Sequence, residues 1–105
     1  MNSDTGPETA ARCRQQVAIK ALANDARYRI VARLAADGAP HGCQELIRLL
    51  DVTPPAVSNH LRVLEAAGLV YTQRRGPQVY ASLAHTELAY QMAAIVRAPQ
   101  GTEPR

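Results

Sequence analysis

The sequence predicts a mainly helical domain with a two-stranded β-ribbon near its carboxyl end, in the order α-α-α-α-β-β-α. Apolar residues recur at the spacing of helices over most of the chain. The period shortens after Gly68, where β-branched and aromatic residues lie on both sides of a Gly-Pro pair. The stretch TPPAVSNHLRVLEAAGLV, residues 53–70, opens with a capping residue and two prolines and has one polar and one apolar side.

Composition and charge narrow the class of protein. The chain has 105 residues, which suggests one domain, and its 47% hydrophobic and 20% charged residues are typical of folded proteins. The net charge is +3, and 11 of the 12 basic residues are Arg, whose forked guanidinium suits phosphates and guanine bases. No apolar run approaches the ~20 residues of a membrane span, and the amino-terminal residues lack a signal-peptide pattern, so we expect a cytoplasmic protein.

The first half of the chain is predicted to form three helices. Residues 1–8 and 98–105 are rich in Pro, Gly, Ser, Thr and charge, and we expect disordered tails there, with the folded domain at 9–97. The first helix starts at Thr9 and ends near Ala23. Asn24 or Asp25 caps the second helix, which ends at Gly38 and Pro40, and the third covers about Cys43 to Leu50.

The stretch 53–70 is predicted to be the second helix of a helix-turn-helix. Thr53 is a good capping residue, and Pro54 suits the first helical position because its missing N–H costs nothing there. The helix covers residues 54–67 and is closed by Gly68. Its apolar face carries Val57, Leu61 and Leu64. Its polar face carries Pro55, Ser58, Asn59 and Arg62, with His60 on a flank.

Residues 69–83 are predicted to be a β-ribbon, with strands at 69–72 and 78–83 around the turn QRRGP. Arg74 and Arg75 are placed at its tip. A ribbon with an arginine tip directly after a helix-turn-helix is a wing. Thr86 then caps a last helix.

Three stretches of the sequence resemble the ArsR/SmtB family of bacterial winged-helix repressors. They are KALANDARYRIVARL (residues 20–34), ELIRLLDVTPPAVSNHLRVLEAAGLV (45–70) and TQRRGPQVYASL (72–83). The resemblance implies a homodimer held together by the first and last helices, which binds double-stranded operator DNA and responds to an inducer. The candidate dimer residues on these two helices are Cys13, Val17, Leu88, Met92 and Ile95.

The predicted DNA contacts follow from the geometry of a helix in the major groove and of a wing beside the backbone or minor groove. They are Thr53, Pro55, Ser58, Asn59, His60, Arg62, Arg74 and Arg75. The alternative is that these are ordinary solvated surface residues. His60 leaves two interpretations open, a contact with DNA or a half-buried position against the third helix.

The resemblance leaves the inducer open because both familiar metal sites of the family are incomplete. The positions of its Cys-x-Cys pair correspond to Gly42 and Gln44, with Cys43 between them. Its last-helix site is matched only loosely by His85 and Glu87, and the second half of that site falls near position 98, without a His.

Other ligand sets remain open as predictions. His41 and Cys43 could bind one ion together with Cys13 of a partner subunit, and such ligands suit zinc, nickel, copper or a thiophilic metalloid. The alternatives are a site at His85 and Glu87, a thiol redox switch, and a regulator that senses no metal, with the cysteines in ordinary structural positions.

No enzyme signature is present, since the sequence has no phosphate loop, dinucleotide turn or nucleophile elbow. The competing prediction from another class is a winged helix that binds a protein instead of DNA. The arginine-bearing wing and the polar helix face favour DNA.

Overall fold

The computed structural model describes residues 7–97 and confirms the predicted fold class. The elements are α1 (Pro7–Leu22), α2 (Asp25–Asp37), β1 (His41–Gly42), α3 (Cys43–Leu50), α4 (Pro54–Ala66), β2 (Val70–Arg75), β3 (Gln78–Leu83) and α5 (Glu87–Arg97). Most of the two predicted tails, residues 1–6 and 98–105, lies outside the described residues. Pro7 and Glu8, assigned to a tail from the sequence, are instead the first residues of α1.

Short-range signals fix the helix ends. Asn24, rather than Asp25, caps α2, since its side chain accepts a hydrogen bond from the Arg27 backbone N–H. Gly38 ends α2 in the left-handed region at φ 69°, where a glycine is favoured. Thr53 caps α4 by accepting from the Ala56 backbone N–H, as the sequence predicted.

The core is aliphatic and lies where the helices meet the sheet. Its largest fully buried side chains come from α2, α3, α4 and the start of the wing: Ile30, Val31, Leu34, Leu46, Val57, Leu64 and Leu69. Because Leu64 and Leu69 flank the end of α4, this core holds the helix and the ribbon in a fixed relation. Among residues 7–97, no helix is both long and apolar enough to cross a bilayer.

The sheet has one strand more than predicted. β1 pairs antiparallel with β3, with His41 opposite Ala81, and the strand order is β1-β3-β2. β1 has two residues, too few for an alternating pattern to be recognised in a sequence. β2 also runs beyond the predicted 69–72 as far as Arg75, so the turn is only the pair Gly76-Pro77, with Gly76 at φ 63°.

Candidate nucleic-acid interface

One face of α4 is buried and the other is open to solvent. Val57, Leu61 and Leu64 pack into the core. The opposite side exposes Pro55, Ser58, Asn59 and Arg62. Side chains on the first two turns of such a helix are those that reach base edges when the helix enters a major groove. The structure therefore brings four of the predicted contact residues together on one exposed surface, next to the exposed cap Thr53.

Arg62 and Asn59 form a polar pair on this surface. The Arg62 Nη1 donates a hydrogen bond to the Asn59 Oδ1 at 3.4 Å, one helical turn away. Arginine can donate two hydrogen bonds to the O6 and N7 of guanine, and asparagine can pair with adenine. Both side chains therefore lie side by side on the surface that would face the bases.

The wing arginines point to opposite faces of the ribbon, which is a correction to their predicted place in the turn. They are the last two residues of β2, paired with Val79 and Gln78 of β3. Neighbouring residues of a strand alternate between its two faces. The Arg75 guanidinium lies 5.0 Å from the centroid of the Tyr80 ring and donates to Gln73 Oε1. Arg74 is left exposed on the other face.

A cleft of about 430 Å³ separates the ribbon from the helix-turn-helix. Cys43, Ser58 and Arg62 are among the residues that line it. The Thr72 hydroxyl donates to the Glu65 carboxylate at 3.4 Å and so joins β2 to α4 at its wall. Burial raises the pKa of the Cys43 thiol, which lowers the fraction of reactive thiolate at neutral pH.

His60 lies on the flank of α4 that faces α2. Its Nδ1 is 3.3 Å from Nη1 of Arg27, and the imidazole is half-buried. His60 is therefore half-buried, as one of its two interpretations had it, with Arg27 of the second helix as its hydrogen-bond partner. Its contact with DNA stays a prediction. Burial and then the positive charge of Arg27 lower the pKa of His60.

His41 is held between two carboxylates, and this arrangement does not suit the predicted metal site. Its Nε2 is 2.9 Å from Asp37 Oδ1, and its Nδ1 is 2.9 Å from Glu45 Oε1. A carboxylate can only accept, so both ring nitrogens donate when the ring is protonated, and these two contacts favour that form. Arg33 also donates to Glu45, at 2.9 Å. Both ring nitrogens of His41 contact carboxylates, so an ion shared with Cys43 would have to displace one of these contacts.

These contacts set the pH range in which the cluster stabilises the fold. Burial by itself lowers the pKa of His41, but the hydrogen bonds to Asp37 and Glu45 outweigh it, and the net pKa is raised. The stabilisation by His41 is therefore fully present below its ordinary pKa of about 6.5 and is lost as pH rises through the raised value. The pKa values of Asp37 and Glu45 are lowered chiefly by the same hydrogen bonds, so their stabilisation is lost in acid.

Replacing His41 with glutamine is expected to destabilise the fold by about 1–3 kcal/mol at pH ~6, because the amide is neutral and carries both N–H donors on one nitrogen, so it cannot replace two charged contacts on opposite sides of the ring. The difference should shrink as pH rises through the raised pKa of His41, where the wild-type side chain loses its proton. Thermal unfolding at several pH values measures this. His85→Gln removes an exposed histidine and serves as the control. A constant difference between wild type and His41→Gln at all pH values would contradict a charged His41.

The other predicted ligands do not form a metal site within one chain. His85 precedes α5, where its Nδ1 is 3.2 Å from the Tyr90 hydroxyl and its ring lies near Tyr71. Glu87 is the first residue of α5. Cys13 lines a groove between α1 and the end of α4, away from the cleft that Cys43 lines. Among residues 7–97, no three His, Cys, Asp or Glu side chains are arranged to hold an ion.

The predicted dimer residues divide into two groups. Val17 and Ile95 are 52% and 54% exposed, and Cys13 is also exposed, as an interface with another subunit requires. Met92 is only 4% exposed and packs in the core of its own chain, so its assignment to the dimer surface is corrected. Leu88 is half-buried against the same core. Ile19 and Tyr90, not predicted from the sequence, are also exposed on α1 and α5.

Several supporting residues were not predicted. Asp37 and Glu45 each lie four residues from His41, a spacing visible in the sequence but interrupted by the end of α2. Tyr80, beneath Arg75, sits directly opposite Gln73 and could have been found from the strand register. The contact between Arg27 and His60 could not be predicted from local sequence, since the two residues are 33 positions apart.

These features define a winged helix-turn-helix DNA-binding domain: a capped helix with an exposed polar face, followed by an arginine-bearing wing. A family model described as a helix-turn-helix domain matches residues 22–73. The chain is similar to transcriptional regulators of the ArsR/SmtB type. It is 33% identical over 81 residues to the arsenic resistance transcriptional regulator ArsR1 of Pseudomonas putida, covering 77% of this chain and 62% of that protein.

Two further comparisons agree with this assignment. The transcriptional repressor SmtB of Mycobacterium tuberculosis is 39% identical over 72 residues, which cover 69% of this chain and 52% of that protein. The structure of HlyU from Vibrio cholerae superposes with a TM-score of 0.72 at 29% identity, covering 83% of this chain and 92% of that one. The chain spans between half and two thirds of the length of these two curated relatives. Both relatives are named as transcriptional regulators, in agreement with the expectation that this chain is not an enzyme.

Proposed function

We propose that this protein is a homodimeric, cytoplasmic transcriptional repressor that binds an inverted-repeat operator through α4 and the wing, residues 69–83. The observation that carries the proposal is the exposed polar surface of α4, in which Arg62 is paired with Asn59. Arg74 and Arg75 lie on the neighbouring ribbon and supply positive charge on both of its faces. Such a combination can read bases with the helix and hold phosphates with the wing.

The dimer follows from the exposed apolar side chains of α1 and α5. Val17, Ile19 and Ile95 are each more than half exposed in the single chain. Pairing these surfaces about a two-fold axis removes them from water and presents two copies of α4. The operator half-sites would then lie about one helical turn apart, ~34–36 Å.

The inducer is proposed to act through a thiol. Since His41 is committed to Asp37 and Glu45, the Cys13/His41/Cys43 set does not suit a metal ion, and no step is assigned to one. Cys43 lines the same cleft as Ser58 and Arg62, so its modification by an oxidant or a soft electrophile would alter the DNA-binding surface. Because burial raises the pKa of this thiol, the modification should be slow at neutral pH and faster at higher pH. Metal analysis, with DNA binding measured under chelator, reductant and oxidant, separates this mode from metal sensing and from a regulator without either.

Changing both wing arginines to alanine is expected to weaken binding to every DNA sequence and to flatten the salt dependence. Each lost phosphate contact lowers the slope of log K against log salt by about 0.9. The measurement is a gel shift with the promoter region of the protein's own gene and with a scrambled duplex, titrated with salt. Arg12→Ala/Arg14→Ala, at two exposed positions of α1, matches the loss of two positive charges away from the wing.

An unchanged slope in the Arg74→Ala/Arg75→Ala variant would remove the wing from the interface. No shift of the promoter fragment by the wild type at low salt would instead favour the alternative of a winged helix that binds a protein. The wing and the polar face of α4 would then need a protein partner.

A further inference from the structure

We propose that Arg27 and His60 form a positioning pair that fixes the recognition helix α4 against the first helix of the same chain, and that operator binding depends on this pair. The inference rests on the proposed DNA-binding function but concerns residues on the side of α4 turned away from the polar face. Neither side chain needs to touch DNA for the pair to act.

Arg27 is held by three hydrogen bonds at the junction of α1 and α2. Its backbone N–H donates to the Asn24 side chain at 3.0 Å. Its Nε donates to the Ala21 carbonyl at 2.8 Å, which satisfies one of the last carbonyls of α1. Its Nη1 is 3.3 Å from His60 Nδ1. One side chain therefore joins the end of α1, the start of α2 and the middle of α4.

The chemistry of the third contact requires a neutral His60. Arginine can only donate, so Nδ1 of His60 must accept and carry no proton. A protonated His60 cannot make this contact, and it would place a second positive charge against Arg27 on a half-buried surface. Lys20 of α1, which lines the adjoining groove with Arg27, adds a third positive charge on this side.

Among residues 7–97, burial and the positive charge of Arg27 both lower the pKa of His60, and no carboxylate is among the groups that shift it. The pair therefore breaks when the pH falls far enough to protonate His60. The polar face would then no longer be held at a fixed angle to α1.

The position of the Arg27–His60 pair in the fold explains why its loss should lower the affinity for the operator. α1 carries Val17 and Ile19, two of the exposed apolar residues of the proposed dimer surface. Ala18 and Ala21 of α1 are buried in the core, and a surface groove lined by Val17, Ala21, Val63 and Ala66 lies between α1 and α4 beside them. The Arg27–His60 contact adds a polar link at this side of α4, through which the proposed dimer surface would influence how the two α4 helices are presented to DNA.

The test compares variants that keep or lose the acceptor at Nδ1. His60→Asn places an amide oxygen near the same position and cannot be protonated, whereas His60→Leu removes the acceptor. Arg27→Gln removes the donor fork, and Arg12→Gln is the charge-matched control. Binding to the wild-type footprint within the protein's own promoter region is measured at pH ~7.5 and ~5.5, beside a scrambled duplex.

His60→Leu, Arg27→Gln and the double variant are each expected to lose about five- to tenfold in operator affinity, at the low end of couplings between sites. The losses should not add, because all three break the same contact. Wild-type affinity should fall towards the same level at low pH, while His60→Asn should stay near wild type and change little with pH. Binding to the scrambled duplex should follow only the charge, as in Arg12→Gln.

Two results would contradict the proposed role of the Arg27–His60 pair. Wild-type affinity that rises at low pH, with a loss in His60→Asn, would mean that His60 contacts DNA directly. Equal affinities and parallel pH profiles in all variants would mean that the contact has no role in binding. Failure of the wild type to bind the promoter fragment counts against the proposed function instead. An NMR titration then still tests the contact, since the pKa of His60 should rise in Arg27→Gln and an unchanged value would exclude it.

Discussion

Replacing Arg62 with alanine is expected to weaken operator binding by about 1–3 kcal/mol, the size of a bidentate contact between arginine and guanine. Arg62 is exposed on the polar face of α4, one turn from Asn59, so its guanidinium is free to reach a base edge when the helix enters the major groove. The measurement is a gel shift or anisotropy titration with the footprinted operator. The loss should be much smaller on a scrambled duplex.

Arg62→Lys distinguishes base recognition from phosphate binding. Lysine keeps the charge but not the planar fork, so a guanine contact predicts that Arg62→Lys loses most of what Arg62→Ala loses. A phosphate contact predicts that lysine retains most of the affinity and that any loss is equal on all sequences. Wild-type affinity in both variants would remove Arg62 from the interface and undermine the assignment of α4 as the recognition helix.

Most of the fold could be predicted because its signals are local. The cap at Thr53 and the glycine at position 38 act within one helical turn, and the apolar periodicity of α4 determines which side is buried. β1 could not be predicted in this way. It consists of two residues, and it exists because β3 offers a free edge to His41 and Gly42, which depends on how the finished core places α3.

The polar face of α4 was also predictable from local signals. The contacts that support it were not. Ser58, Asn59 and Arg62 follow from helical spacing alone. The partner of His60 depends on the packing of α2 against α4, and the state of His41 depends on carboxylates from two different helices. A sequence shows that such a histidine is chemically versatile, but only the packing shows which atoms surround its ring.

The dimer surface on α5 also depends on packing that the sequence does not show. Met92 and Ile95 are three residues apart on α5 and equally apolar, so spacing places both on one stripe. In the fold, that stripe is shared between two environments: Met92 faces the chain's own core, and Ile95 remains 54% exposed. Only the position of α2 against α5 decides where the core ends and the outer surface begins.

Aspartate at these two positions is therefore expected to give opposite results. Met92→Asp places a carboxylate in the core without a partner, which costs several kcal/mol, a large share of the ~5–15 kcal/mol that stabilises a typical domain, so the chain should unfold or aggregate. Ile95→Asp places the charge on the surface of a single chain. It should leave the helices intact while opposing dimer formation, because the same carboxylate would be buried between subunits.

Circular dichroism with thermal unfolding and light scattering measures both outcomes. Ile95→Asp should retain a helical spectrum and give half the wild-type mass, and Val17→Asp on α1 should do the same. Ala36→Asp, an exposed position on α2, introduces the same charge outside the proposed surface and should keep the wild-type mass. A stable dimer in both Ile95→Asp and Val17→Asp would move the dimer surface away from α1 and α5. The two α4 helices would then need another axis to reach successive turns of one DNA face.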